Sequence, residues 1–280
     1  MLMHDTFRRL YAGETLPLSR EEVEQQVGAL LSALERGEVR AAERDASGRW
    51  NAVPWVKEGI LVAFRVGHLE DMTPSGQSPF RFYDKSTMPT QAIPQSANVR
   101  IVPGGSAIRR GAHVAEGVVC MPPMYINVGA YVGPGTMIDS HALVGSCAQI
   151  GARVHVSAAA QIGGVLEPVN AAPVIVEDDA FVGGNCGVYE GTIIRTRAVL
   201  ASGVILTRST TVYDLVHRRV LRADGDQPLE IPEGAVVVPG SRPVSSAWGR
   251  EQGLSIATPL IVKYRDAGTD VGVAFQSALR

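Results

Sequence analysis

The sequence predicts a mainly β protein in which a parallel β-helix follows an α-rich N-terminal region. Two observations indicate this fold. An apolar residue recurs at every sixth position from Ile108 to Ile162, whereas the N-terminal hundred residues place apolar side chains at helical spacing. The 280 residues are 45% hydrophobic and include 30 Gly and 17 Pro, so the chain has the apolar material for a packed core and many turn-forming residues.

The N-terminal region begins with a clear helix signal. Ser19-Arg-Glu-Glu22 is a capping box, in which the Ser and Glu side chains satisfy backbone amides that a helix N-terminus leaves free. Apolar residues at helical spacing follow, and Gly37 is a stop signal. A second helix is expected over Trp55 to Val66, and Phe80 to Met88 is expected to form a loop or short strand. We therefore assign residues 1–98 to an α-rich cap domain.

The hexapeptide period defines the second region. Of the nine positions reached by stepping in sixes from Ile108, eight hold Val or Ile, and the residue four positions after each is mostly small. A period of six fits neither the 3.6 residues of a helical turn nor one continuous alternating strand. It is typical of short strands joined by regular turns, with three hexapeptides in each coil. The branched side chain points inward and the small residue lets the corner close.

Two segments interrupt the period. Gly163 to Pro173 is rich in Gly and Pro and is expected to form a loop thrown out from the coil. Leu215 to Leu229 is a charged insertion that precedes the last match to the repeat. The expected domains are thus a β-helix over 99–240 and a C-terminal extension over 241–280, which contains a strand near Thr258 to Tyr264.

Composition excludes several classes of function. The formal net charge of −2 gives no electrostatic reason to expect nucleic acid or an anionic membrane as a partner. No apolar stretch approaches the roughly 18–20 residues of a membrane span, and Met1 to Glu14 has no apolar signal core, so a cytoplasmic location is expected. The three cysteines lack the spacing of a disulfide framework or a metal site, and we expect buried thiols at Cys120, Cys147 and Cys186.

Polar residues at the corners of the coil are the candidates for chemistry. Asp139 directly follows Ile138, so its carboxylate faces outward at a corner, where it either forms the turn or acts on a substrate. His113, His141 and His155 are 28 and 14 residues apart. The zinc hydratases of this fold use two His five residues apart, so these three do not predict a metal site. Each is either a general base or a surface side chain.

Three further features outside the regular repeat are candidates for binding. Arg100 lies just before the repeat, where it either binds a substrate carboxylate or forms a surface ion pair. Gly163 to Pro168 is a candidate for a mobile flap over a site. Lys263 in the tail either contacts a phosphate of a nucleotide-type cofactor or is a solvated strand end.

The repeat carries segments more specific than a hexapeptide match. GSCAQIG at 145–151, GGVLEP at 163–168 and IVED at 175–178 resemble the signature segments of the tetrahydrodipicolinate N-succinyltransferases. RIVP at 100–103 and IVK at 261–263 extend the likeness, which covers roughly residues 80–215 well.

The resemblance implies a left-handed parallel β-helix, a homotrimer and active sites in clefts between subunits. The enzyme would move a succinyl group from succinyl-CoA to the amine of L-2-amino-6-oxopimelate in the diaminopimelate route to lysine, without a metal. Carried over by motif, Asp139 contacts the substrate amine and is the proposed base, and Arg100 binds a substrate carboxylate. Ala201 and Gly203 match the strip that holds the pantetheine arm of CoA, with Lys263 a weaker match for a CoA contact.

The chain departs from the family near the expected meeting point of donor and acceptor. Gly187 stands where the family commonly carries a glutamate proposed as catalytic, and Glu190 matches a separate glutamate nearby that is a possible substitute. Asp139 is followed by Ser140 and His141 instead of the family's usual Trp. Acyl selectivity is therefore open, and an N-acetyltransferase on the same or a related amino diacid is the alternative within this chemistry.

Two rival classes have different signatures. A non-catalytic solenoid scaffold has no reason to keep Arg100, Asp139 and the GGVLEP segment together. A metal-dependent hydratase predicts bound zinc.

Overall fold

The computed structural model describes residues 2–74, 80–225 and 227–270. Within these ranges the architecture is the predicted one, a helical N-terminal region followed by a parallel β-helix. None of the helices in this described part has the length and apolar character that a membrane crossing requires. The α-helices are α1 Met3–Tyr11, α2 Arg20–Glu35, α3 Pro54–Val66 and α4 Ala247–Glu251.

The first three helices pack into a small core of their own. The predicted capping box starts α2, because the Ser19 hydroxyl accepts from the Glu22 amide at 3.2 Å while the Glu22 carboxylate accepts from the Ser19 amide at 2.6 Å. Helix α3 begins at Pro54, one residue before the expected start, since proline is favoured in the first turn. The buried side chains include Phe7, Leu30 and Ile60.

Two antiparallel hairpins complete the cap, and the second contains a short strand, one of the two alternatives expected over Phe80 to Met88. Their strands are β1 Ala42–Arg44, β2 Trp50–Ala52, β3 Leu69–Asp71 and β4 Tyr83–Lys85. The first hairpin docks on the β-helix. The Trp50 indole donates to Glu177 Oε1 at 2.9 Å, and Arg40 donates to Gln149 Oε1 at 2.9 Å while its guanidinium lies 3.7 Å from the centre of the Tyr131 ring.

The hexapeptides form two-residue strands in strict rotation around a prism. These strands are β5 Arg100–Ile101, β6 Ala107–Ile108, β7 His113–Val114, β8 Val119–Cys120, β9 Tyr125–Ile126, β10 Tyr131–Val132, β11 Met137–Ile138, β12 Leu143–Val144, β13 Gln149–Ile150, β14 His155–Val156, β15 Gln161–Ile162, β16 Ile175–Val176, β17 Phe181–Val182, β18 Gly187–Val188, β19 Ile193–Ile194, β20 Val199–Leu200 and β21 Ile205–Leu206. Their second residues face the core, as the period predicts, and almost all are fully buried.

The C-terminal strands close the end of the prism. They are β22 Val212–Asp214, β23 Arg219–Leu221, β24 Glu230–Ile231, β25 Ala235–Val238, β26 Ser241–Pro243, β27 Ser255–Ala257 and β28 Leu260–Tyr264. Strand β22 precedes the charged insertion, which contains β23, and the two strands pair as an antiparallel hairpin. Strand β28 is antiparallel to β25, and β26 is antiparallel to β27.

Three sheets form the sides of the prism. The long sheet has the order β23-β22-β28-β25-β20-β17-β14-β11-β8-β5. The cap-facing sheet, which carries Tyr131 and Gln149, has the order β24-β19-β16-β13-β10-β7, and the open sheet has the order β21-β18-β15-β12-β9-β6. The chain passes from the long sheet to the open sheet at the Asp139 corner, and from the open sheet to the cap-facing sheet at what we call the flap corner.

A hydrogen-bonded carboxylate secures the inserted hairpin. The Asp214 side chain is fully buried and accepts from the Tyr264 hydroxyl at 2.8 Å, from Arg219 Nε at 2.9 Å and from the His217 amide at 3.1 Å. Burial alone raises the pKa of a carboxyl group, but these donors hold the pKa of Asp214 well below its usual range.

Candidate active site

The outward side chains of the long sheet form one column with a cation at each end. Strand pairing aligns them in the order Arg100, Val119, Met137, His155, Phe181, Val199, Val236 and Lys263. Arg100 and Lys263 are exposed, whereas Val119, Met137 and Val236 are buried against their neighbours. Strand pairing therefore brings two of the sequence-predicted binding residues onto one side of the prism.

Residues with short side chains are stacked one per coil along the Asp139 corner, and we call this row the file. Asp139, Ser157, Gly183 and Ala201 each follow a strand of the long sheet and each donates its amide to the next coil, to the carbonyls of Val156, Val182, Leu200 and Val237. Because neighbouring strands lie about 4.8 Å apart, Asp139 and Ala201 are separated by three spacings, about 14 Å. The corner thus connects the candidate base to the candidate pantetheine strip with no bulky side chain in the file.

The Asp139 carboxylate is oriented but still reachable. Its Oδ1 accepts from the Ser140 amide at 2.7 Å, and its Oδ2 lies 3.8 Å from His155 Nε2. The Asp139 side chain is 29% exposed, whereas that of His155 is 5% exposed and its ring lies 5.0 Å from that of Phe181. A carboxylate held in this way can accept a proton from a group that approaches the corner.

The three histidines of the repeat have different surroundings. His155 is the one whose Nε2 approaches the Asp139 carboxylate. His113 is covered by the cap, where its Nδ1 lies 2.8 Å from the Glu35 carbonyl and burial lowers its pKa. His141 is exposed in a turn with a φ of 62°. The spacing of the three histidines in the sequence does not distinguish them, whereas the pairing of Met137 with His155 in adjacent coils singles out His155.

Glu190 lies on a different corner from Asp139. It is exposed at the flap corner, and its Oε2 accepts from the Arg208 amide at 2.8 Å. It lines a cavity of about 590 Å³ that Arg49, Pro168 and Glu230 also line. Within one chain the structure therefore does not bring Glu190 and Asp139 together.

A tyrosine fills the space above Gly187. A Cβ added at Gly187 would lie 2.5 Å from Tyr189 Cε2 and 3.0 Å from Ile205 Cδ1, and a Cβ at Gly163 would lie 2.7 Å from Tyr189 Cδ1. The Tyr189 ring thus lies against the outer surface of the open sheet, where a longer side chain at position 187 would have to extend. Tyr189 is a site candidate that the sequence reasoning missed.

The loop at 163–173, which we call the flap loop, is attached on two sides. The Val165 amide donates to the Ser146 carbonyl at 3.2 Å, and Leu166 packs on the cap core. Lys57 of α3 is fully buried and donates to the Ala171 carbonyl at 2.5 Å, and burial lowers its pKa. The predicted flap is therefore tied to both the cap and the coil.

Gly203 lines a groove at the C-terminal end of the Asp139 corner. The groove has a volume of about 340 Å³, and Thr210, Gly240, Arg242 and Thr258 are among its other lining residues. Gly203 has a φ of 81°, which L side chains rarely adopt. Ala201 precedes it in the same turn. Asp139 lines neither this groove nor the cavity at the flap corner.

Lys263 lies near this end of the molecule but outside the lining of the groove. Its Nζ is 3.2 Å from both carboxylate oxygens of Asp266, and its side chain is 46% exposed. Among the described residues there is no group of three or more His, Cys, Asp and Glu side chains that would hold a metal ion. The three cysteines are free and buried.

Comparison with known proteins identifies the relatives of this chain. A family model described as the tetrahydrodipicolinate N-succinyltransferase N-terminal domain matches residues 7–66, and one described as the hexapeptide repeat of succinyl-transferase matches residues 173–208. The 2,3,4,5-tetrahydropyridine-2,6-dicarboxylate N-succinyltransferase of Polynucleobacter asymbioticus is 43% identical over 265 residues, which cover 92% of this chain and 90% of the relative. The chain belongs to this family.

A second member of the family and a solved structure with the same fold are also similar to this chain. The N-succinyltransferase of Nitrobacter winogradskyi is 41% identical over 274 residues, which cover 96% of this chain and 94% of the relative. A Campylobacter jejuni structure described as a 2,3,4,5-tetrahydropyridine-2-carboxylate N-succinyltransferase shares the fold, with a TM-score of 0.53 at 18% identity. That alignment covers 92% of this chain and 65% of the other. The expected N-succinyltransferase family and its hexapeptide β-helix are both confirmed.

Proposed function

We propose that this chain transfers a succinyl group from succinyl-CoA to the amine of L-2-amino-6-oxopimelate, the opened form of tetrahydrodipicolinate, in the diaminopimelate route to lysine. Its membership of the N-succinyltransferase family supports the reaction. One observation supports the assignment of roles to individual residues. The partly exposed Asp139 carboxylate and Ala201 lie in one file along a corner that no bulky side chain blocks. We expect the enzyme to work in the cytoplasm.

The chemistry is a direct attack within a ternary complex. Asp139 accepts a proton from the substrate amine as its nitrogen attacks the thioester carbonyl, and the tetrahedral intermediate then collapses with loss of the CoA thiolate, which takes up a proton. A thioester is already activated, so the enzyme needs to supply position, a proton acceptor and donors to the oxyanion.

Arg100 supplies recognition of the acceptor. It lies on the same sheet as the Asp139 strand, with Val119 and Met137 paired in sequence between them, so about 10 Å separates the two positions along the column. An amino diacid carries a carboxylate at a distance from its reacting amine. A guanidinium fork at Arg100 can pair with that carboxylate while the amine reaches Asp139.

The site is completed by other copies of the chain. We propose a homotrimer with active sites between subunits, because Asp139 faces outward and lines neither the groove nor the cavity of its own subunit. Such an arrangement lets Glu190 at the flap corner of one subunit contribute to the site of another. In this arrangement the proposed domain 1–98 is the cap, 99–240 is the catalytic coil, and 241–280 is an extension beside the site of the CoA donor.

The proposal is tested by release of free thiol from CoA esters. Succinyl-CoA and acetyl-CoA are supplied in parallel, with 2-aminopimelate as a stable stand-in for the acceptor and light scattering to give the mass of the assembly. We expect acceptor-dependent release that is faster with succinyl-CoA. Faster release with acetyl-CoA would make the chain an N-acetyltransferase, the second candidate, and no release from a folded trimer would contradict both.

A further inference from the structure

The groove at the end of the Asp139 corner holds one charged side chain. Its walls come from the turn at Gly203, the Ser209–Thr211 segment and the β26–β27 hairpin, and hydroxyl, glycine and apolar residues make up most of the lining. Arg242, on β26, is the one titratable residue among the described residues that line it. Within the described part of the chain, no acidic side chain lines the groove.

The half-buried Arg242 side chain has no partner for its buried Nε nitrogen. Its Nε is buried and has no hydrogen-bond partner among the described atoms, and Arg242 enters no ion pair within them. Buried polar groups are rarely left unsatisfied, and an unpaired charge costs more than a neutral group. A groove that is otherwise neutral therefore favours an anion beside Arg242.

The groove continues the file that begins at Asp139. The Ala201 amide donates to the Val237 carbonyl in the next coil, and Gly240 at the end of that coil lines the groove. The groove is thus about four strand spacings, about 19 Å, from Asp139. An extended phosphopantetheine arm, which separates the thioester of CoA from its phosphates, spans a comparable distance.

We propose that Arg242 binds a phosphate of the CoA thioester, and so fixes the donor with its acyl group at Asp139. This inference rests on the proposed acyl-CoA chemistry and adds a phosphate-binding residue to it. The same chemistry is offered by the diphosphate and by the 3′-phosphate of CoA. Arg242, unlike Lys263 with its Asp266 partner, has its donors available for either group.

Calorimetric titration of the full-length protein with CoA, 3′-dephospho-CoA and pantetheine tests the assignment. We expect Arg242→Ala to weaken CoA binding about tenfold, as the loss of one charge-assisted hydrogen bond does, and to leave pantetheine binding unchanged. Arg242→Lys should recover part of the loss. If the diphosphate is the partner, Arg242→Ala also weakens dephospho-CoA; if the 3′-phosphate is the partner, that ligand binds both proteins equally.

Arg250→Ala is the matched control, because it removes an equal charge from exposed helix α4 in the same segment. It should bind CoA as the parent protein does. CoA binding by Arg242→Ala that equals the parent's, or parent binding of pantetheine as tight as that of CoA, would overturn the assignment without touching the acyl-transfer reaction. Failure of the parent protein to bind CoA or release thiol would instead contradict the proposed function itself.

Discussion

At the scale of single residues, the Asp139 carboxylate owes its position to the coil. The residue comes at a corner because Ile138 before it must face the core, and its Oδ1 then accepts from the Ser140 amide while its Oδ2 lies near His155. The sequence alone predicts the corner and its outward direction. It does not predict the contact with His155, which depends on which strands of successive coils are paired.

Replacement of Asp139 by Asn tests its role as the proton acceptor. The amide keeps the shape of the side chain but cannot take the proton of the amine, so we expect kcat to fall by about 100- to 10,000-fold. Because the side chain is partly exposed, the melting temperature and the oligomeric mass should stay close to those of the parent protein. A variant that turns over at the parent rate would show that another group accepts the proton.

Gly187 and Tyr189 form a coupled pair. We expect Gly187→Glu alone to lower the free energy of unfolding by about 1–3 kcal/mol, because the new side chain overlaps the Tyr189 ring. Gly187→Glu combined with Tyr189→Val should recover most of that loss. Urea unfolding of the two single variants and the double variant measures the coupling, and purely additive effects would show that the ring moves aside freely.

At the scale of elements, regular and irregular segments differ in how far their sequence determines them. The two-residue strands follow from the hexapeptide period, and α2 follows from its capping box. The Arg242 groove and the Tyr189 contact do not follow, because β26–β28 are antiparallel strands outside the period and a ring position depends on neighbouring coils. The period therefore predicts which residues of the repeat face outward, but not which outward side chains of neighbouring coils touch.

The inserted hairpin β22–β23 depends on one carboxylate. Asp214→Asn removes the charge that accepts from Tyr264, Arg219 and His217, so we expect a loss of about 2–4 kcal/mol in the free energy of unfolding at pH 7. The folded-state pKa of Asp214 is depressed, so its contribution is present above the ordinary pKa of 3.8 and is lost as the pH falls below it.

Urea unfolding at several pH values between 7 and 3 measures both effects. The parent protein should lose stability more steeply toward acid than Asp214→Asn does. Replacement of exposed Asp178, which has no buried cluster of donors, is the control and should leave the acid dependence close to that of the parent. Parallel acid profiles for the parent and Asp214→Asn would contradict the assigned role of this carboxylate.

At the scale of the whole molecule, burial in the core determines how reactive the three cysteine thiols are. Cys120, Cys147 and Cys186 are buried, and burial raises the pKa of Cys120 and of Cys147 to about 12. A thiol-specific disulfide reagent should therefore react with none of the three in the native protein and with all three in urea. Rapid reaction in the native state would indicate that the coil opens locally.

The same thiols make stability depend on alkaline pH. The folded-state pKa of Cys120 and Cys147 is raised above the ordinary 9.0, so the unfolded chain loses these protons first and the free energy of unfolding falls as the pH rises from 9 toward 12. The slope should approach about 1.4 kcal/mol per pH unit for each thiol. Cys120→Ala, compared with the parent in urea at pH 8 and pH 10.5, should show a shallower decline.

The parallel coil also fixes distances along the molecule. Each coil advances the Asp139 corner by about 4.8 Å, and the number of coils between Asp139 and Ala201 sets how far the acyl end of a donor lies from whatever holds its other end. Lengths along this molecule change in whole coils, since deletion of a single hexapeptide would move every later strand to a different sheet of the prism. An enzyme of this build can therefore select donors by the span of their arms as well as by the shape of their acyl groups.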